Sequence, residues 1–354
     1  MTPDFQRLMS EATRLMRTGS LGEATAAIQQ ALGATPTTPA APAPRPADHD
    51  VIDVEARVVP EPGSSEAAPA VAPASGESFT PGHFKNEAGA RDYKLFVPAG
   101  AAAKRPLVVM LHGCTQDADD FARGTRMNAL ARAQGVVVLY PTQSHRANAQ
   151  GCWNWFKHNH QARGKGEPAI LAGMVREVIA THDIDPDRVY VAGLSAGGAM
   201  AAILGDAYPD LFAAVGVHSG LPTGSASDVQ TAFAAMGGGA TPARRGPRHG
   251  PTPPTIVFHG DADTTVNVVN GERVMHAARV FAAPDVRRGS SDMGVAWSCR
   301  RYVDAHGADR AQEWIVHGAG HAWSGGDPAG SYTDPRGPDA SAEMLRFFLR
   351  HPRR

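Results

Sequence analysis

Cysteine is scarce in this chain, and its scarcity excludes a fold built on disulfides. Cys114, Cys152 and Cys299 stand among 354 residues, and an odd number leaves at least one of them outside any pair within the chain. Neither Cys-x-x-Cys nor His-Glu-x-x-His, two spacings typical of zinc sites, occurs. We therefore predict no bound metal, and no motif calls for a cofactor.

An excess of one charge sign and long apolar runs are also missing. The formal net charge is -1 and the isoelectric point is about 7.0, which argues against nucleic-acid or membrane-surface binding through charge. No run approaches the roughly 18 apolar residues of a transmembrane helix. The N-terminus lacks the charged-then-apolar layout of a signal peptide, so we expect the chain as written to start in the cytoplasm.

The first 76 residues differ in composition from the rest. Apolar residues recur at helical spacing on both sides of a turn at 18–22, which predicts an α-hairpin over 1–33. A lone hairpin cannot bury its own apolar face, so residues 5–32 are expected to dock on the main domain, self-associate or bind a protein partner. Residues 34–76 are rich in Pro, Ala and Thr, as in a disordered linker, and the folded domain is expected at 77–354.

Strand and helix patterns alternate from residue 77 onwards. Antiparallel edge strands are predicted at 79–84 and 93–97, followed by a buried strand at 106–111. The later elements are helices at 119–134, 169–181, 271–281 and 340–349, strands at 136–140, 213–218, 255–259 and 313–316, and a strand and helix within 189–200. This alternation predicts the α/β class, a mostly parallel sheet with helices on both faces, whose functional loops follow the strands.

The strongest functional signal lies in the stretch 189–200. An apolar run ends in the sequence GLSAG at 193–197 and continues as an alanine-rich segment. Gly-x-Ser-x-Gly between a strand and a helix is the pattern of a nucleophile elbow, where the serine occupies a strained turn and the glycines let the flanking chains pass. The short pattern also arises by chance in glycine-rich turns, but its strand-turn-helix context favours Ser195 as a nucleophile.

A serine nucleophile needs a base and an acid that orients it, and candidates follow two later strands. We prefer Asp263 to Asp261 because the loop has cleared the strand end by that point. We prefer His321 to His317 because it lies deeper in a glycine-bounded loop. The order Ser, Asp, His is that of α/β-hydrolases. Three other histidines at strand ends are interpreted as buried structural residues bonded to the backbone: His112, His218 and His259.

The tetrahedral intermediate of such a reaction needs two fixed hydrogen-bond donors, the oxyanion hole. The elbow itself supplies the backbone N–H of Ala196. The second donor is expected in the loop after the 106–111 strand, which reads LHGCTQ, and we choose the backbone N–H of Cys114.

Together these residues resemble the esterases of the polyhydroxybutyrate-depolymerase type, α/β-hydrolases related to feruloyl and acetylxylan esterases. The matching segments are LHGCTQ at 111–116, MNALA at 127–131, LYP at 139–141, GCWNWF at 151–156, GLSAGGAM at 193–200, HGDADTTV at 259–266 and GHAWSGG at 320–326. The resemblance implies an α/β-hydrolase fold with Ser195, Asp263 and His321 as its catalytic triad. Many members resemble secreted enzymes with signal peptides, and some carry substrate-binding domains; this sequence shows neither pattern.

Two groups of residues near the expected site have two interpretations each. Cys114 and Cys152 fall in loops that should border the oxyanion hole, so a disulfide can join them, whereas reducing cytosolic conditions favour free thiols. Trp153, Trp155 and Trp323 are expected to form flat apolar walls for an acyl or polyester chain; the alternative is packing beneath loops.

We therefore expect a serine carboxylesterase that works through an acyl-enzyme. By resemblance, the favoured substrate is a poly- or oligo(3-hydroxyalkanoate), and the alternative is a feruloyl or acetyl ester of a plant polysaccharide. A hypothesis of a different class is a non-catalytic interaction protein that acts through the hairpin at 5–32. The complete set of Ser, Asp and His weighs against it.

Overall fold

The computed structural model describes residues 76–100, 104–239, 250–278, 283–304 and 307–353. The predicted hairpin at 1–33 and all but the last residue of the linker at 34–76 lie outside these ranges, so both remain predictions. Within the described ranges, no helix combines the length and the apolar character needed to cross a membrane.

A ten-stranded sheet organises the described part of the chain. Its strands are β1 (Ser78–Asn86), β2 (Gly89–Val97), β3 (Arg105–Leu111), β4 (Val137–Pro141), β5 (Ile184–Leu194), β6 (Ala214–His218), β7 (Thr255–Gly260), β8 (Asp285–Ser290), β9 (Ala296–Val303) and β10 (Asp309–Val316). Their spatial order is β1-β2-β4-β3-β5-β6-β7-β10-β9-β8. The strands from β4 to β10 in this order pair in parallel, and antiparallel pairs close both edges.

Helices cover both faces of this sheet, as the alternation of elements predicts. They are α1 (Ala118–Thr125), α2 (Met127–Gln134), α3 (Gly166–Thr181), α4 (Ala196–Ala207), α5 (Val229–Met236), α6 (Val269–Ala277) and α7 (Ala340–Leu349), with a short 3-10 turn at His158–His160. Alternate residues of the buried strand β3 point to opposite sides, Val109 into one apolar cluster and Met110 into the other. Helices α3, α4 and α6 contribute to the first cluster, and α1, α2 and α7 to the second.

The structure differs from the expected elements in two respects. The helix expected at 119–134 is two helices, because Arg126 adopts a left-handed conformation with φ 53° and its guanidinium donates to the Gly325 carbonyl at 3.0 Å. The left-handed residue itself is an arginine and not the glycine or asparagine that commonly ends a helix in this conformation. Helix α5 and strands β8 and β9 were not expected. Every residue of β8, which reads DVRRGS, is exposed. The sequence therefore lacks the alternation of apolar and polar residues that would predict a strand there.

The last helix, α7, anchors the C-terminal segment against the middle of the sheet. The ring of Phe348 stacks on that of Tyr190 in β5, with centroids 5.2 Å apart and planes 5° from parallel. Phe348 is fully buried, whereas Phe233 of α5 is 64% exposed. The same aromatic residue type thus occupies two opposite environments in one chain.

Replacement of Phe348 by Ala is expected to lower the free energy of unfolding by about 3–5 kcal/mol, because it leaves a cavity in the core. Phe233→Ala should change it by no more than about 0.5 kcal/mol, since that ring faces solvent. Urea unfolding of both variants measures the difference. Equal losses would contradict the packing of α7 described above.

Candidate active site

Ser195 sits on a sharp turn between β5 and α4. Its backbone has φ 57° and ψ -117°, a conformation that non-glycine residues rarely adopt, and its N–H donates to the His218 carbonyl at 2.9 Å. A Cβ atom on Gly197 would lie 2.0 Å from the Leu111 carbonyl oxygen, and one on Gly193 would lie 2.4 Å from the Gly197 carbonyl. Only glycine at both positions lets β3, the turn and α4 pack this closely.

Asp263 and His321 lie against each other, although 58 residues separate them. His321 Nδ1 is 2.7 Å from Asp263 Oδ2. The other carboxylate oxygen accepts the N–H groups of Thr265 at 2.9 Å and Val266 at 2.8 Å. These contacts orient the imidazole and fix the carboxylate that faces it.

The environment keeps the Asp263 carboxylate ionised. Burial raises its pKa, but His259 and His321, at 3.5 and 2.7 Å from Oδ2, and the backbone N–H of Val266 together hold that pKa well below its usual value. Asp263 is therefore a negative charge beside His321, where it favours the proton on Nδ1 and leaves Nε2 able to accept another.

A second serine, histidine and aspartate are joined at the surface nearby. His317 Nδ1 lies 2.7 Å from Asp261 Oδ2, and His317 Nε2 lies 2.8 Å from Ser298 Oγ. Ser298 belongs to the regular strand β9, paired with Ile315, and not to a strand-to-helix turn. We call Asp261, His317 and Ser298 the surface trio.

Ser195 and His321 line one cavity with a volume of about 440 Å³. No hydrogen bond joins the Ser195 hydroxyl to His321 within the described residues. Such contacts are often long in enzymes without substrate and tighten when substrate binds. The surface trio does not line this cavity.

Two backbone N–H groups at the cavity have no acceptor within the described part of the chain. Neighbouring amides are occupied: Gly113 N–H donates to the Gln116 side chain at 2.9 Å, Thr115 N–H to Gln150 at 2.8 Å and Ser195 N–H to His218. The N–H groups of Cys114 and Ala196 lie beside them and donate to no carbonyl or side chain in the described ranges. They are the two positions that the sequence predicts for the oxyanion hole.

A disulfide joins Cys114 to Cys152, whose Cα atoms are 4.2 Å apart. It ties the loop after β3 to the loop after β4, and the backbone bond from Thr115 to Gln150 joins the same two loops. Cys299 is buried and unpaired, and burial raises the pKa of its thiol to about 12.

A buried carboxylate stands behind the loop that carries Cys152. Glu167 accepts hydrogen bonds from Gln143 Nε2 at 2.6 Å, from the N–H and Nδ2 of Asn154 at 2.7 Å each, and from Arg91 at 3.1 Å. Gln143 Nε2 also donates to the Cys152 carbonyl at 2.9 Å. The sequence offers no motif for this network, because its members are far apart in the chain.

Of the three tryptophans expected to form walls, only Trp155 lines the cavity. Trp153 is fully buried against His112, with ring centroids 5.5 Å apart. Trp323 is buried between Phe121 and His218, and its indole N–H donates to Ser341 Oγ at 3.0 Å. The expectation was wrong for Trp153 and Trp323, because both rings point into the core beneath the loops that carry them.

The three histidines interpreted as structural are buried and bonded to the backbone. His112 Nε2 accepts from Gln143 N–H at 3.0 Å, and His218 Nε2 accepts from Ser324 N–H at 3.0 Å. His259 Nε2 lies 2.8 Å from the Val266 carbonyl. No group of three or more His, Cys, Asp or Glu in the described ranges is placed to hold a metal ion.

The cavity also has walls that the sequence analysis missed. They come from helix α5 and from the loop around β11 (Trp323–Ser324) and β12 (Thr333–Asp334). Apolar lining residues there are Val229, Ala232, Phe233, Met236 and Tyr332. The apolar spacing in α5 was the available signal, but no motif connected that helix to Ser195.

The elbow on a mostly parallel sheet, followed in the chain by an aspartate and a histidine at strand ends, defines an α/β-hydrolase. Residues 91–315 match the family described as Esterase PHB depolymerase. The chain belongs to that family.

Individual relatives agree with this assignment. Poly(3-hydroxyalkanoate) depolymerase C of Paucimonas lemoignei is 34% identical over 235 residues, 64% of this chain and 56% of that protein. Poly(3-hydroxybutyrate) depolymerase of Ralstonia pickettii is 31% identical over 246 residues, 65% of this chain and 50% of that protein. A probable acetylxylan esterase A of Aspergillus fumigatus is 31% identical over 188 residues, 49% and 50% of the two chains. This chain thus spans about half the length of these relatives.

Among solved structures, an acetyl xylan esterase from Aspergillus awamori matches with a TM-score of 0.60. The match covers 73% of this chain and 94% of that one at 21% sequence identity. It shows that the two proteins share a fold.

The buried His218 under the site makes stability depend on pH. Burial, followed by the nearby His259 and His321, lowers the pKa of His218 from 6.5 to about 3. Between these values the unfolded chain binds a proton that the folded chain does not. The free energy of unfolding therefore decreases as the pH is lowered from 6.5 towards 3, by up to about 1.4 kcal/mol per pH unit. His218→Gln should flatten this dependence in urea unfolding between pH 7 and 4. If the free energy of unfolding of the variant depends on pH as steeply as that of the unchanged protein, His218 is not the group responsible.

Proposed function

We propose that this protein is a serine carboxylic-ester hydrolase in which Ser195 is the nucleophile, His321 the base and Asp263 the residue that orients the base. The observation that carries the proposal is that the strained Ser195 lines the same cavity as His321, whose Nδ1 lies 2.7 Å from Asp263. Membership of the Esterase PHB depolymerase family supports it.

In the acylation step, Ser195 Oγ attacks the ester carbonyl carbon and its proton passes to His321 Nε2. The N–H groups of Cys114 and Ala196 then stabilise the negative oxygen of the tetrahedral intermediate. When the intermediate collapses, the carbon–oxygen bond to the alcohol breaks, and the departing alcohol takes the proton from His321. Ser195 is left as an acyl ester.

In the deacylation step, His321 takes a proton from a water molecule, which attacks the acyl carbonyl. Collapse of the second intermediate releases the carboxylic acid and returns the proton to Ser195. Asp263 stays ionised throughout and stabilises the imidazolium, in agreement with its lowered pKa.

The substrate class that we propose is a poly- or oligo(3-hydroxyalkanoate). The two depolymerases among the relatives support it, and the largely apolar cavity is suited to an aliphatic ester. The alternative is an acetyl or feruloyl ester of a plant polysaccharide, supported by the acetylxylan esterase relative. Association through the predicted hairpin at 5–32, with itself or a protein partner, belongs to the proposal on sequence grounds alone.

Matched substitutions distinguish the cavity serine, Ser195, from the serine of the surface trio, Ser298. Ser195→Ala should lower kcat for p-nitrophenyl acetate about 1000-fold or more, because the nucleophile is lost. Ser298→Ala, the matched change in the surface trio, should leave kcat near that of the unchanged protein. The same contrast is expected for His321→Ala against His317→Ala. Loss of activity in the Ser298 and His317 variants, with activity retained in the other two, would refute the assignment.

Comparison of two classes of ester tests the proposed substrate. Purified protein should hydrolyse 3-hydroxybutyrate oligomers with kcat/KM at least about tenfold above that for methyl ferulate, since the pocket has to discriminate between an aliphatic and an aromatic acyl group. Product release is measured by chromatography, with the Ser195→Ala protein as a blank. Preference for ferulate or acetylated xylan would move the function to polysaccharide esters and leave the triad in place.

A further inference from the structure

Large apolar side chains at the surface concentrate around the cavity. Among the described residues, those most exposed are Val229, Phe233, Val286, Met293 and Tyr332. Three of these five, Val229, Phe233 and Tyr332, line the cavity that contains Ser195. Such a concentration is unlike the scattered apolar residues of an ordinary protein surface and marks a binding surface.

The apolar stripe belongs to one face of α5. Val229, Ala232, Phe233 and Met236 follow the spacing i, i+3, i+4, i+7, so they lie along one side of the helix over about 10 Å. Ala232 and Met236 pack inward against the first apolar cluster, while Val229 and Phe233 extend into the cavity opening.

The helix is held firmly although this face is open. The Asp228 side chain caps its first turn through the Thr231 N–H at 2.8 Å, in a reciprocal capping box. At its other end, Asn270 Nδ2 donates to the Ala235 carbonyl at 2.9 Å, and Asn267 N–H donates to the Met236 carbonyl at 2.8 Å. The backbone that carries the exposed side chains of Val229 and Phe233 is therefore fixed at both ends.

The chemistry of this stripe selects among ester substrates. Three of its four side chains carry no hydrogen-bonding group and the Met236 sulfur is only a weak acceptor, so the stripe offers no partner for the hydroxyl donors and acceptors of a sugar comparable to water. An aliphatic chain loses water-exposed apolar area on the same stripe without leaving a polar group unpaired. Ser195 and His321 line the same cavity as the stripe, and the ester carbonyl would sit at Ser195.

We propose that the α5 stripe binds the aliphatic segment of a single 3-hydroxyalkanoate chain whose ester carbonyl lies at Ser195, and that Phe233 and Val229 set the preference for long aliphatic esters over acetyl and sugar-linked esters. This inference rests on the ester hydrolysis proposed above. It assigns the specificity to a helix outside the triad and its loops.

The test compares Phe233→Ser with Met293→Ser, a matched change because Met293 is 66% exposed and lies away from the cavity. The measured quantity is the ratio of kcat/KM for p-nitrophenyl decanoate to that for p-nitrophenyl acetate. Phe233→Ser should lower this ratio about tenfold, mainly through KM for decanoate, because apolar contact with the chain is lost. Met293→Ser should leave the ratio unchanged, and Phe233→Leu should restore most of it.

Several outcomes would overturn the inference. An unchanged ratio in Phe233→Ser, or an equal loss on acetate and decanoate, would show that the stripe does not contact the acyl chain. A loss on amorphous polyhydroxybutyrate film alone, with soluble 3-hydroxybutyrate trimer unaffected, would show adsorption to a solid surface in place of single-chain binding.

A binding measurement keeps the inference testable apart from turnover. If the unchanged protein hydrolyses neither ester, the proposed function fails, and the stripe is then judged by calorimetric titration of 3-hydroxybutyrate trimer into Ser195→Ala protein. If the additional substitution Phe233→Ser lowers the affinity for the trimer about tenfold, the result supports the proposed role of the stripe in binding the chain. Equal affinity with and without that change, or no binding at all, contradicts it.

Discussion

The close approach of Gly197 to the carbonyl oxygen of Leu111 is the constraint on which the site depends. It brings the first turn of α4 against the end of β3, so that the loop carrying Cys114 lies beside the peptide of Ala196. Ser195, in the turn before α4, has a positive φ of 57°, and its N–H is held by the His218 carbonyl at 2.9 Å. The proposed nucleophile and the two proposed oxyanion donors are thus positioned by backbone packing and not by the side chains of Asp263 and His321.

Around this centre the loops are fixed by different means. The disulfide ties the loops after β3 and β4, and the buried Glu167 holds the second of them through Gln143 and Asn154. The loops after β7 and β10 are held by Asp263 with His321 and, two to four residues earlier, by Asp261 with His317. These contacts fix the loops that carry Cys114, Asp263 and His321, and helix α5 adds apolar side chains to the lining of the cavity.

Local patterns were sufficient to predict most of the sheet and the identity of the elbow. Strands such as β3 and β6 are continuous apolar runs, and α7 begins and ends at the expected residues. The break at Arg126 was missed because it depends on a contact with Gly325, about 200 residues away. The tryptophans were misplaced for a similar reason, since sequence indicates that Trp153 lies near the site but not which way its ring points. The apolar stripe on α5 could not be linked to the site from sequence, because only the folded structure shows that it lines the same cavity as Ser195.

The surface trio has a consequence for how active sites are recognised. A search for serine, histidine and carboxylate at hydrogen-bonding distances would select Ser298, whose hydroxyl is bonded to His317, which in turn is bonded to Asp261. The same search would pass over Ser195, whose hydroxyl has no hydrogen bond to His321. Ser298 lies on an ordinary strand without a strained turn, and the trio does not border the cavity. Side-chain distances alone therefore point to Ser298, whereas the positive φ at a strand-to-helix turn and the place in the cavity together point to Ser195, the proposed nucleophile.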